Sequence, residues 1–160
     1  MKTIKIKAMD MKQRLDYSRE SDGALKGLLE LERYVHGSGL ERTLYELVKT
    51  RASQINGCAY CIDMHTKDAR KAGETEQRLY TLSAWRETPF YTPRERAALE
   101  WTEALTLISG NDVPDPLYEA VREHFTEKEI IALTMAIIAI NGWNRLAISF
   151  RTPPGSYKTQ

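Results

Sequence analysis

Apolar residues return at helical intervals over much of the chain. Leu25, Leu28, Leu29, Leu31 and Val35 keep spacings close to one face of a helix, and Leu40, Leu44, Leu47, Val48 and Ala52 do the same in the next segment. Asn56-Gly57 interrupts the pattern, so the preceding helix is expected to end near Gln54. A new helix is predicted to begin beside Cys58 and stop at Gly73, because glycine suits the left-handed conformation that ends many helices. "TEQRLYTLSAW" supplies one more. Three start signals follow: Thr92-Pro93-Arg94-Glu95, a capping box with proline at the first helical position; Asp115-Pro116, a cap followed by proline; and Thr126 to Glu129, a second capping box before the apolar run "IIALTMAIIAI". The first predicts a helix from about 93 to 108, stopped near Gly110. Only "TIKIKAM", Thr3 to Met9, alternates like a strand, and one short strand makes no sheet. The pattern predicts an all-α fold of about seven helices, without repeats or low-complexity linkers.

Composition changes this picture little. A chain of 160 residues with 42% hydrophobic and 28% charged residues is expected to form a single domain over 1–160. Its 23 basic and 22 acidic side chains leave a net charge of +1, which provides no field to gather nucleic acid or anionic lipid. The N-terminal segment lacks the apolar core of a secretory signal. The apolar run at 130–140 is too short to span a bilayer and reads as a buried helix. A cytoplasmic protein is expected, with no membrane and no nucleic-acid partner.

The candidate chemistry lies in "ELVKTRASQINGCAYCIDMHTKDARKAG", residues 46–73, where the chain's two cysteines, Cys58 and Cys61, stand three apart with His65 four further on. In a reducing compartment such a pair is more often catalytic, redox-sensing or metal-binding than a structural disulfide. On a helix, positions 58, 61 and 65 fall within an arc of about 60° and share a face. Cys58 in the first turn meets unpaired N–H groups and the helix dipole, which favour a thiolate, and a nearby imidazole can move its proton. Glu46, about two turns back from the loop, can fold alongside this helix and hold the imidazole. Two other readings stand beside this one. The cysteines can be buried core, or zinc can use Cys58, Cys61 and His65 with Glu46 as fourth ligand. A c-type haem is excluded because Ile62 follows Cys61, and a helix before the pair disfavours a thioredoxin fold.

Glu46, eleven residues, Cys58-x-x-Cys61, three residues, His65: this pattern resembles the alkylhydroperoxidase D (AhpD) core of the carboxymuconolactone decarboxylase family, with the likeness spanning about 20–150. The resemblance implies an all-helical fold assembling as a homo-oligomer (dimer, trimer or hexamer), and a thiol-dependent peroxidase or disulfide reductase. Carried over, Cys61 resembles the thiol oxidised to a sulfenic acid. Cys58 resembles the partner that resolves it, and His65 and Glu46 resemble the proton relay. Catalytic residues would then be Cys61, Cys58, His65 and Glu46, with a hydroperoxide substrate, an unidentified dithiol reductant, and no cofactor or metal. The family's decarboxylase branch does not use this cysteine pair. A decarboxylase or isomerase on the same fold, and a non-enzymatic redox-sensing or zinc-stabilised module, are the alternatives.

Other residues are read as follows. His36 and His124, near predicted helix ends, suit the dipole there and read as structural or solvated. Asn141-Gly142-Trp143-Asn144-Arg145 reads as packing, or as a site wall with Trp143 as its apolar part. Tyr60 and Thr66 are candidates for shaping substrate access.

Overall fold

The computed structural model describes residues 12–159. The alternating segment at 3–9 lies outside them. The described residues form α1 (Tyr17–Glu20), α2 (Lys26–His36), α3 (Arg42–Asn56), α4 (Ala59–Lys71), α5 (Glu76–Thr81), a 3-10 segment (Leu82–Glu87), α6 (Pro93–Thr106), α7 (Asp115–Arg122) and α8 (Glu127–Phe150), with no strand among them. The all-α expectation holds. The count exceeds seven because the four-residue α1, held by Asp16 accepting from the Ser18 amide, carries no apolar periodicity.

α3 occupies the centre, packed against α4, α6 and α8. Leu44 through Thr50 are all buried, polar residues included, as a helix covered on several sides requires. Leu44 and Val48 meet Trp101, Val121, Phe125, Leu133 and Ile137 on one side, and Leu47 meets Leu82, Trp85, Tyr91 and Leu99 on another. Each fully buried side chain of this kind contributes about 1.5–3 kcal/mol by leaving water. Glu103 of α6 cross-links these layers, accepting from Arg51 Nε at 2.7 Å and Trp85 Nε1 at 2.8 Å.

Both capping boxes form as the sequence predicts, at Thr92/Glu95 and Thr126/Glu129. Three local readings need correction. Asp115 is not the cap of α7: Pro114 is, without a side-chain bond, and Asp115 sits inside the first turn where its charge suits the dipole. The segment read as a single helix at 75–85 breaks after Thr81 into the 3-10 segment. Arg96 donates to the carbonyls of Trp85, Arg86 and Thr88, and so satisfies the groups a continuing helix would have used. α3 runs on to Asn56, two residues beyond Gln54.

The run expected at 130–140 is the middle of a 24-residue helix. By length and composition α8 would pass as a membrane span, yet half of that stretch is buried against the rest of the fold. Asn141 to Arg145 do not interrupt it. A Cβ at Gly142 would stand 3.3 Å from Leu28, so the glycine allows α2 to approach α8.

Candidate active site

The site begins with one turn. Gly57 takes φ +70°, and the amides of Gly57 and Cys58 bond back to Gln54 and Ser53, closing the end of α3 in a Schellman arrangement. Cys58 follows at once as the N-cap of α4, its Sγ accepting from the Cys61 amide at 3.3 Å. The next helix therefore returns directly along the last. Asn56, just before the turn, donates to Asn144 at 2.8 Å and Asn141 at 3.0 Å, and Asn144 donates to Ser53, anchoring the turn on α8. The polar residues of 141–145 thus pack the site in place.

The four residues singled out by spacing converge. Cys58 and Cys61 are each 1% exposed and joined as a disulfide. One turn on, His65 Nδ1 lies 2.8 Å from Glu46 Oε2, and Glu46 Oε1 accepts from Arg42 Nε at 3.1 Å. Both His65 and Glu46 are buried. A carboxylate accepts only, so the imidazole donates from Nδ1, and Nε2, buried without a partner, is the basic nitrogen.

Cys61, His65 and Glu46 border a cavity of about 490 Å³; Cys58 is not among the residues lining it. Of the wall built around Glu32, only Trp143 was foreseen. Glu32 of α2 accepts from Lys49 Nζ at 2.6 Å, Tyr45 Oη at 2.6 Å and Trp143 Nε1 at 2.8 Å. Burial raises the Glu32 pKa, but the Lys49 charge and the three donors outweigh it and hold the carboxyl below its ordinary range. Burial, then the Glu32 carboxylate, pushes the Tyr45 phenol up, so it remains a donor. Arg42, Glu46 and Lys49, at intervals of four and three, share one face of α3; that spacing was the readable signal. Glu32 had none, because it reaches Lys49 only through the packing of α2.

Of the remaining expectations, Trp143 and Tyr60 line the cavity, while Thr66 turns its hydroxyl back onto the Ile62 carbonyl at 2.7 Å. His36 also borders the cavity, with Nε2 3.2 Å from Tyr45 Oη. His124 lies beyond the end of α7, and its carbonyl accepts from Arg94. Glu46, His65 and Asp68 bring ligand-type atoms within 4.8 Å of one another, but Glu46 already serves Arg42 and His65, and Asp68 accepts from Tyr157. A zinc set of Cys58, Cys61, His65 and Glu46 would require the S–S bond to open and Glu46 to give up a partner.

Residues 22–104 match the carboxymuconolactone decarboxylase family, and the chain is 51% identical over 139 residues to the uncharacterized protein YdfG of Bacillus subtilis, covering 87% of this chain and 95% of that one. The chain belongs to this family. Within it the resemblance is to the AhpD-like members: a solved structure from Agrobacterium tumefaciens, a protein of unknown function proposed as the antioxidant defence protein AhpD, superposes with a TM-score of 0.87 at 46% identity, covering 91% of this chain and all of that one. The debrominase Bmp8 shares the fold, with a TM-score of 0.75 at 17% identity over 87% of this chain and 74% of that one. A shared fold does not by itself fix the chemistry, so the side chains around Cys61 must argue the function.

Proposed function

We propose that this family member is a cytoplasmic thiol-dependent peroxidase, turning over a hydroperoxide at Cys61 and a cellular dithiol at the Cys58–Cys61 disulfide. The observation that carries this reading is the disulfide set one helical turn from a buried His65–Glu46 pair, with Cys61 bordering the cavity. His65 Nε2 takes the proton of the Cys61 thiol. The thiolate attacks the terminal peroxide oxygen, the O–O bond breaks, and the alkoxide leaves with the proton held by His65. Cys61 is then a sulfenic acid. Cys58 gives up its thiol proton, its thiolate favoured at the N-cap by the Cys61 amide, and attacks the Cys61 sulfur; the departing hydroxide takes that proton and leaves as water as the disulfide closes. Exchange with an external dithiol returns two electrons. The balance is hydroperoxide plus dithiol giving alcohol, water and a disulfide.

Glu46 fixes the imidazole tautomer, and Arg42 holds the other carboxylate oxygen of Glu46 in place. The scheme needs no metal, flavin or haem. The same reading has the chain assemble as a homo-oligomer, a dimer, trimer or hexamer, for which the half-exposed Leu29, Ile131 and Ile138 supply apolar surface. The test is hydroperoxide consumption driven by a small dithiol, compared with the Cys61→Ser and Cys58→Ser variants. Turnover lost in both variants is expected. Turnover that survives loss of both thiols would mark decarboxylase or isomerase chemistry instead.

A further inference from the structure

α8 ends at Arg151 in the left-handed conformation, φ 54°, and the Thr152 amide bonds back to the Ala147 carbonyl. The chain then returns across α4, fastened at three points. The Gly155 amide donates to Asp63 Oδ2 at 3.0 Å, Lys67 Nζ donates to the Tyr157 carbonyl at 3.1 Å, and Tyr157 Oη donates to the Asp68 carboxylate at 2.9 and 3.0 Å. Lys67 also pairs with Asp63 at 2.8 Å, so the first two points are joined. All three partners belong to the helix that carries Cys61 and His65.

On α4, positions 61, 65 and 68 fall on one face, and Cys61 and Asp68 are separated by about 10 Å along the axis. Tyr157 lines the cavity beside Asp68, at the end of this stripe away from Cys61. Asp68 is 9% exposed, and Tyr157 occupies both its oxygens. Burial, then the Asp68 carboxylate, pushes the phenol up to about 12, so it remains a donor across the neutral range. Residues 152–157 also lie outside the segment that matches the family, 22–104.

We propose that residues 152–157 are a strap closing the Asp68 end of the cavity, and that Tyr157 is a specificity-determining residue limiting how far a substrate extends from Cys61 along α4. Compact reagents reach Cys61 with the strap fastened. A reagent whose tail runs past His65 meets the Tyr157 ring and reacts only when that ring leaves Asp68. The inference rests on the proposed function only in taking Cys61 as the sulfur that reacts from the cavity.

The test uses two reagents with one reactive group and different tails. The pre-reduced full-length protein is treated with N-methylmaleimide or N-(1-pyrenyl)maleimide, and addition at Cys61 is followed by mass. Tyr157→Ala should raise the pyrenyl rate by about tenfold or more while the methyl rate changes by less than about twofold, the scale on which a pocket wall discriminates. Tyr157→Phe keeps the ring, loses the bond to Asp68, and should raise the rate ratio by about threefold. It carries the test if the alanine variant does not fold. An unchanged ratio in the folded variants overturns the proposal. Both rates rising together also overturns it, since that marks an opening of α4 rather than a lost wall. Because maleimide addition consumes no peroxide, the outcome is separable from that of the peroxidase reading.

Discussion

At the scale of the residue, the imidazole of His65 is the hinge of the chemistry. Glu46 holds one nitrogen, and the other is left basic on the face that carries Cys61. Glu46→Gln keeps the shape but can turn its amide N–H toward the imidazole, favouring the wrong tautomer. We expect Cys61 to react with hydroperoxide about a hundredfold more slowly in this variant, with far-UV circular dichroism unchanged. A rate within twofold of the native protein would remove Glu46 from the relay. Glu32 makes a different prediction. Its carboxyl pKa lies below the ordinary 4.5, so its pairing with Lys49 stabilises the fold fully above that value and is lost as pH falls through the lowered folded value. Glu32→Gln leaves the Lys49 ammonium buried without its counter-charge and should cost about 3 kcal/mol near neutral pH. The loss of stability toward acid, read from urea melts, should be shallower than in the native protein. An equally steep acid limb would contradict the assignment.

At the scale of the element, the short turn between α3 and α4 does most of the positioning. Glu46 and His65 are 19 residues apart yet adjacent, because a left-handed glycine and an N-cap cysteine reverse the chain with nothing between them. Gly57 has open space for a Cβ, so Gly57→Ala tests conformation alone. It should cost about 1–2 kcal/mol in a thermal or urea melt, the penalty for a side chain in that region. No loss would mean that the turn is not what sets the site. The same locality made the site readable: Glu46, Cys58, Cys61 and His65 lie on two consecutive helices whose turn is written as Asn56-Gly57. Glu32, Trp143 and Tyr157 come from α2, α8 and the tail. Their places depend on how helices pack, and no interval in the sequence encodes that.

At the scale of the whole molecule, the buried α3 and the half-buried α8 form a frame on which the thiol helix and the Glu32–Lys49 pair line one cavity. The helical nature of the chain was plain from its capping boxes and apolar spacing. The break at Leu82, made by Arg96 from another helix, and the return of the tail over α4 were not, since both arise from distant contacts. The central claim is that this frame makes Cys61 a peroxide-reactive thiol resolved by Cys58. It is tested most directly by treating pre-reduced, metal-free protein with an organic hydroperoxide and following thiol content and intact mass. The account predicts the loss of two thiols and about 2 mass units, with no such disulfide in Cys61→Ser. Survival of both thiols in a large excess of peroxide would contradict it.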